Sequence, residues 1–432
     1  MTTHPSPAAP NSETLSVDAA RALALSLAAP VEGTEPVALD AALGRVLAEA
    51  IASPLDVPAY DNSAMDGYAF DGAALVAAVA NGGELALTVA GTALAGHPHP
   101  GATPAGACVR IMTGAPMPAG CDTVIPQERV DLSTHAIARF AANAVARGAN
   151  CRRAGEDLAH GATVLDAGRI VRPADLGLLA SLGIDRVLVR RRLRVACLST
   201  GDELRAPGEP LGAGGRYDSN RAILFGMLAT LGVETIDGGI VRDDPAALEA
   251  ALRDAATRAD VVITSGGVSV GDADFTRDLL GKLGHVHFAS LAMRPGRPLA
   301  CGQLDAGAPN APGARAALFF GLPGNPVAVA ATFQVIVRDA LLACMGAQPE
   351  PAARYPARAL DAIDTRTGRT DFLRGIATRD TDGHWQVAPA GSQSSASLKG
   401  LSDANCFIVI GAAHARVEAG ETVEILPFAG AL

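Results

Sequence analysis

The sequence predicts a multidomain chain: a three-layer α/β/α unit with a mainly parallel sheet, a β-rich insert before it and a small β-barrel after it. Three observations carry this expectation. Between residues 193 and 324, strand-like runs at 195–198, 233–240, 261–264 and 318–320 alternate with helix-like runs at 221–231, 245–258 and 276–283. That order puts helices on both faces of a parallel sheet. From about 71 to 143, short β-like runs (85–90, 107–111, 123–126) are broken by Gly and Pro. From about 354 to the end, short alternating strands are separated by turns at Thr367-Gly368, Asp382-Gly383 and Ala419-Gly420, as in a small barrel.

Composition narrows the function classes. The length of 432 residues suits about three domains. The chain is 49% hydrophobic but only 4% aromatic, so its cores must be built from Ala, Val and Leu. A net charge of −10 argues against binding nucleic acid or an anionic membrane. An anionic substrate must then be held by local donors. The seven cysteines are scattered, without CxxC or short Cys–His spacing, which suits neither a zinc site nor a disulfide framework. The N-terminal residues lack a secretion signal, and the longest uncharged apolar run, 222–233, is too short to span a bilayer. These features predict a soluble cytoplasmic protein.

In chain order, a Pro/Ser/Ala-rich tail (1–12) precedes a helix capped by Ser16 that runs to about 29 through Ala19, Leu23 and Leu27. A second helix is expected at 39–50, carrying Leu43, Val46 and Leu47 on one face. Prolines at 54 and 58 then enforce extended chain. AYDNSAMDGYAF (59–70) combines two turn signals with a high density of polar groups. A further helix is expected at 173–182. Arg190, Arg191, Arg192 and Arg194 read as a solvated surface. A last long helix, 327–345, ends at Gly346, before a linker at Pro349-Glu350-Pro351.

The chemistry gathers where the predicted strands end. STGDEL (199–204), RDDP (242–245), TSGGVSVGDAD (264–274) and GLPGNP (321–326) each follow one strand of the central unit. Ligands of open α/β sheets sit at that end. In TSGGVSVGDAD, Gly266, Gly267 and Gly271, with the Ser269 hydroxyl, suit a backbone wrapped around an anion. Carboxylates beside an anion make sense when a divalent cation lies between them. No Walker lysine follows a GxxxxG, no GxGxxG follows the first strand, and no nucleophile–base pair is visible. His97 and His99 lack an acid or cysteine to complete a metal set. Plainer roles remain open: Asp66 and Glu203 as turn caps, and Asp244 as the N-cap of the helix opening at Pro245.

DNSAMDGYAF, RIMTGAPMP, STGDEL with YDSNR, RDDP, TSGGVSVGDAD, RPGRP and GLPGNP stand in an order and spacing that resemble the molybdopterin molybdenumtransferase family, related to the catalytic half of gephyrin. The resemblance covers nearly the whole chain from about residue 15. It implies an elongated N-terminal dimerisation domain from 13–52 and 146–178, a β-rich insert (53–145), a molybdopterin-binding α/β domain (179–348) and a C-terminal β-barrel (349–432). It also implies insertion of molybdate into adenylylated molybdopterin by Mg²⁺-dependent hydrolysis with release of AMP. The alternatives are a molybdopterin adenylyltransferase and a non-catalytic molybdopterin-binding scaffold.

Carried onto this sequence, the family's acids and hydroxyl fall on Asp66, Thr113, Asp157, Glu203, Asp243 and Asp274, with Glu203 and Asp274 toward the metal. The substrate would meet Gly266, Gly267, Ser269, Gly271, Arg294, Arg297, Pro323, Pro326, Arg374 and Ser395. Arg374 and Ser395 resemble the residues on the molybdate side. The resemblance further implies a homodimer, whose partner subunit would bring Asp66 and Thr113 to the cleft. It leaves room for an adenylyltransferase and molybdoenzyme maturation factors as protein partners. Two departures stand out. Ser290, Arg294 and Arg297 occupy positions where similar proteins usually carry lysine, and Lys399 in SLKGLSDAN is a candidate for the charge lost at Ser290.

Overall fold

The computed structural model describes residues 14–80, 83–134, 136–267, 273–305, 316–348 and 351–428. Its centre is a seven-stranded sheet in the order Thr14–Leu15, Gly284–Leu291, Pro298–Asp305, Ala316–Leu322, Val261–Ser265, Arg194–Thr200, Glu234–Val241. The last four strands are parallel, whereas Pro298–Asp305 runs antiparallel to both its neighbours. Val261, Val262 and Ile263 are fully buried, as a strand covered on both faces must be. Helices Val17–Leu27 and Ser219–Leu231 share one core with the long C-terminal helix of this unit. Helices Pro245–Arg258 and Ala273–Leu283 cover the other face. The predicted α/β/α layering is therefore present, with an antiparallel pair that the strand–helix alternation did not announce.

The long helix is continuous but not uniform: Pro326–Thr332, a π-helical turn at Phe333–Val337, then Arg338–Cys344. By length and a mean hydropathy of 1.7 it could cross a membrane, yet 83% of it is buried inside the protein. It is a core helix.

The first predicted helix forms, with Ser16 Oγ accepting from the Ala19 amide at 3.1 Å. The second does not. Only a 3-10 turn, Leu39–Ala41, occupies the start of 39–50. Beyond it, the Gly44 and Leu47 amides donate to Val171 and Arg169 carbonyls at 2.9 Å, and Val46 accepts from Arg190 at 2.8 Å. Pairing with distant chain outweighs the local apolar spacing. The same segment is tied down by antiparallel ladders of Thr34–Ala38 with Arg186–Arg190, Ile51–Ala52 with Thr163–Leu165, and Asn62–Ser63 with Cys151–Arg152.

The arginine cluster is only in part the solvated surface that its sequence suggested: Arg192 and Arg194 are exposed, whereas Arg191 is partly buried. Arg191 makes a two-pronged pair with buried Asp260, at 2.7 and 2.9 Å, and Arg192 donates to the Gly232 carbonyl. A carboxylate at the start of a buried strand needs such donors, and the cluster supplies them.

The insert holds a six-stranded sheet ordered Thr123–Pro126, Gly67–Phe70, Ala107–Ile111, Glu84–Ala93, Ile137–Ala141, Asp131–Thr134. Helix Ala73–Ala80 packs there, and the Phe70 and Phe140 rings meet at 5.2 Å. In the C-terminal barrel, Thr370–Arg379, Trp385–Pro389, Tyr355–Ala359, Thr422–Pro427 and Cys406–Ile410 pair in turn, and the last closes on the first. A short strand, Met293–Arg294, reaches from the α/β unit to pair in parallel with Thr370 and Asp371. This link places the barrel against the carboxyl end of the central sheet.

Candidate functional site

Two parallel strands end side by side here, and that forces glycine into the sequence. Gly266 and Gly267 adopt φ of +91° and +69°. A Cβ on Gly266 would lie 2.8 Å from the Thr200 carbonyl oxygen, and one on Gly267 would lie 2.9 Å from Thr200 Oγ1. Neither the left-handed backbone nor the contact tolerates a side chain. Thr200 Oγ1 itself is buried without a hydrogen-bond partner. Ser269 and Gly271 lie outside the described residues. Asp274 falls in helix Ala273–Leu283, and its side chain is likewise outside them.

These strand ends open on a cleft of about 1270 Å³ shared with the barrel. Charged residues of both signs line it, Arg216 among them. Glu203, Asp218 and Asp243 line it, as do Arg294, Arg297 and Arg374. Glu203 is exposed, with Oε1 3.9 Å from Arg216 Nε. Asp243 Oδ2 accepts from the Asp202 amide at 3.3 Å, and the Asp243 amide returns a 3.4 Å bond to Asp202 Oδ1. Asp218 caps helix Ser219–Leu231, accepting from the Arg221 amide at 3.2 Å. Asp244 caps the next helix, accepting from Ala247 at 2.8 Å.

Among the described residues Arg374 is the largest fully buried side chain, 1% exposed. One guanidinium nitrogen donates to the Ser392 carbonyl, while Nε has no partner. No carboxylate pairs with it among the described residues. Burial, and then the positive charge of Arg294, push its pKa below the ordinary arginine value. Gln393 braces the same strand: its Oε1 accepts from the Arg374 amide at 2.9 Å, and its Nε2 donates to the Arg374 carbonyl at 3.0 Å. Ser395 is fixed through its backbone, its carbonyl accepting from Val327 at 3.2 Å. Pro323 and Pro326 line the cleft between these parts.

Arginines held together without a carboxylate form a site for an oxyanion. Glu203 and Asp243 in the same cleft offer hard oxygen donors suited to a divalent cation.

The other expected residues sit elsewhere. Asp66, Thr113 and Asp157 are not among those lining the cleft. Asp66 accepts from the Thr113 amide at 2.8 Å and hydroxyl at 2.7 Å. These two bonds, in that order, hold its carboxyl below the usual range. Asp157 is exposed and its amide donates to the Val57 carbonyl at 3.0 Å. Lys399 is paired with Asp403 and does not line the cleft, which removes the support for its standing in for the charge lost at Ser290.

Sequence reasoning gave no role to Arg216, Tyr217, Asn220 or Gln393, all of which line the cleft. YDSNR was visible as a motif ahead of a predicted helix, but only the fold places it at the cleft. Asn220 Nδ2 ties two strand-end loops together, donating to Ser265 Oγ at 2.7 Å and to the Gly324 carbonyl at 2.8 Å. The seven cysteines are all free thiols.

Comparison with known proteins agrees with this architecture along the chain. Residues 15–183 match the MoeA N-terminal region (domain I and II), 196–343 a probable molybdopterin binding domain, and 356–428 the MoeA C-terminal region (domain IV). A molybdopterin molybdenumtransferase of Haemophilus influenzae is 41% identical over 415 residues, 96% of this chain and 98% of that protein. Molybdopterin molybdenumtransferase 2 of Mycobacterium tuberculosis is 35% identical over 396 residues, covering 90% and 94% of the two chains. Among solved structures, the molybdopterin biosynthesis moeA protein from Pyrococcus horikoshii superposes with a TM-score of 0.80 at 28% identity, over 96% of this chain and 100% of that one.

Proposed function

Because the chain belongs to the molybdopterin molybdenumtransferase family, we propose that it inserts molybdate into adenylylated molybdopterin, with hydrolysis of the adenylate. It is a transferase of molybdenum cofactor biosynthesis. Water adds to the phosphorus of the adenylate, the anhydride P–O bond breaks, and AMP leaves with the released proton going to solvent.

The observation that carries the reading is Arg374, buried, with no carboxylate partner and an unpartnered Nε among the described residues, and with Arg294 beside it. A tetrahedral dianion such as molybdate satisfies both guanidinium groups, and Ser395 and Arg297 line the same cleft. The glycine turn at Gly266 and Gly267 presents backbone to the substrate phosphate, and Ser269 and Gly271 extend that cradle in our assignment. In our assignment Glu203, which lines the cleft, and Asp274 would hold Mg²⁺ through carboxylate oxygens, with Asp243 supporting that site. When bound there, the cation neutralises charge on the diphosphate.

We assign Asp66 and Thr113 to a second part of the site, brought to the cleft by the other subunit of a homodimer, and keep Asp157 among the acids of the site. We retain the four-domain division at 52/53, 145/146, 178/179 and 348/349. Cytoplasmic localisation, with an adenylyltransferase and maturation factors as partners, completes the proposal.

The test supplies purified protein with adenylylated molybdopterin, molybdate and Mg²⁺, following AMP release and reconstitution of a molybdenum apoenzyme. Molybdate-dependent AMP release with reconstitution is the expected result. Turnover of ATP with free molybdopterin points instead to an adenylyltransferase, and binding without AMP release to a scaffold.

A further inference from the structure

Tyr217 is an exposed aromatic ring on the wall of a cleft in a chain where aromatic residues are scarce. The protein has four tyrosines and 4% aromatic residues. Among the described residues lining the cleft, the aromatic side chains are Phe372, fully buried, and Tyr217, which is 45% exposed. A ring left half in water at a binding cleft forgoes the burial that stabilises most aromatics.

The ring is also held in place. Its hydroxyl donates to the Glu209 carbonyl at 3.0 Å, so the one donor of the phenol is already engaged. Its backbone is fixed on both sides: Tyr217 pairs with Arg205 in a short parallel ladder, and Asp218 caps the helix that follows. What the residue offers a ligand is therefore a ring face. Arg216, next to it, lies 3.9 Å from Glu203, and neither Arg294 nor Arg374 shares this segment. The ring thus lies on the cleft-lining segment that carries the Arg216–Glu203 pair.

We propose that the Tyr217 ring stacks on a planar heteroaromatic ring of the substrate and determines its orientation along the cleft. This inference rests on the substrate assigned above. Two parts of that substrate have such a ring, the adenine and the pterin, and both recognise an aromatic face by the same physics. A fixed ring gives up little conformational freedom on binding, which favours stacking over a mobile side chain.

Equilibrium binding of AMP and of molybdopterin to the full-length protein tests the idea. Tyr217→Ala is expected to weaken one of the two ligands by about 5- to 150-fold, the range spanned by base–aromatic stacking, and the ligand affected identifies the ring. Tyr217→Phe retains the ring and rescues the affinity. Tyr217→Trp adds a fluorophore whose emission is quenched saturably by the same ligand, a signal that a purely structural role does not produce. Unchanged affinity for both ligands in Tyr217→Ala, or an equal loss in Tyr217→Phe, overturns the inference while the substrate assignment stands. Failure of the unaltered protein to bind either ligand overturns both.

Discussion

Arg297 donates from Nε to Ser290 Oγ at 2.9 Å. Ser290 does not itself line the cleft, but its hydroxyl holds a guanidinium that does. Ser290→Ala should cut molybdate-dependent activity by about 2- to 10-fold, the worth of one hydrogen bond, with the loss in KM. Lys399→Ala, by contrast, should leave activity unaltered. A larger loss at Lys399 than at Ser290 would reverse this account.

Arg374 combines functional importance with poor electrostatic satisfaction. Arg374→Met should lower activity by at least about 100-fold, as removal of a dedicated oxyanion donor does. The same change removes a buried charge that has no carboxylate partner among the described residues, so the thermal midpoint should rise. Molybdate should stabilise the unaltered protein and not the variant. A variant that melts earlier and still responds to molybdate contradicts the assignment.

The two glycines separate backbone from side-chain constraints. Gly266→Ala and Gly267→Ala should each destabilise by about 1–2 kcal/mol from the left-handed backbone alone, with steric cost added. Thr200→Ala should recover the steric part for Gly267, whose clash is with Thr200 Oγ1, and little for Gly266, whose nearest contact is the Thr200 carbonyl. Chemical denaturation of the single and double variants decides the matter. Equal rescue at both positions would show that the contacts are misassigned.

If Asp66 acts across a dimer interface, damage to the two halves of the site should complement. Asp66→Asn and Arg374→Ala proteins are each expected to be inactive alone. Unfolded and refolded together, they should regain about a quarter of the original activity, because half of the random dimers carry one intact site of two. Persistent inactivity in a mixture shown to contain mixed dimers would place Asp66 and Arg374 in the site of one subunit, and full activity of Asp66→Asn alone would place Asp66 outside the reaction.

The Asp66 carboxylate should titrate below 3.8 in the folded protein because the Thr113 amide and hydroxyl donate to it. Its folded pKa lies below the unfolded one, so its contribution is present above about pH 3.8 and disappears as the pH falls through the folded value. Thr113→Val removes one donor and should raise the Asp66 pKa, seen as a shift in its carboxyl carbon NMR titration. An unmoved titration curve would mean that the hydroxyl is not a partner in solution.

Much of this protein is legible in one dimension. Strand and helix periods are local, so the α/β unit, the insert strands and the Ser16 cap could be read from composition and spacing. Glycine at 266 and 267 marks a backbone constraint wherever the chain folds. The motifs in their order were enough to suggest the family and to nominate Glu203, Asp243, Arg374 and Ser395, which one cleft brings together.

What local pattern could not supply is pairing between distant segments. The apolar face at 39–50 suggested a helix, but ladders to residues more than a hundred positions away claimed its backbone. Arg191 looked like solvated charge until Asp260 took it. Neither the link of Met293–Arg294 to the barrel nor the bond from Arg297 to Ser290 has a sequence signature, because each depends on how whole domains meet. The sequence by itself determined which chemical groups this protein has and on which elements they ride. The tertiary structure alone decided which of them share a cleft, since burial and long-range hydrogen bonding are set only once the domains pack.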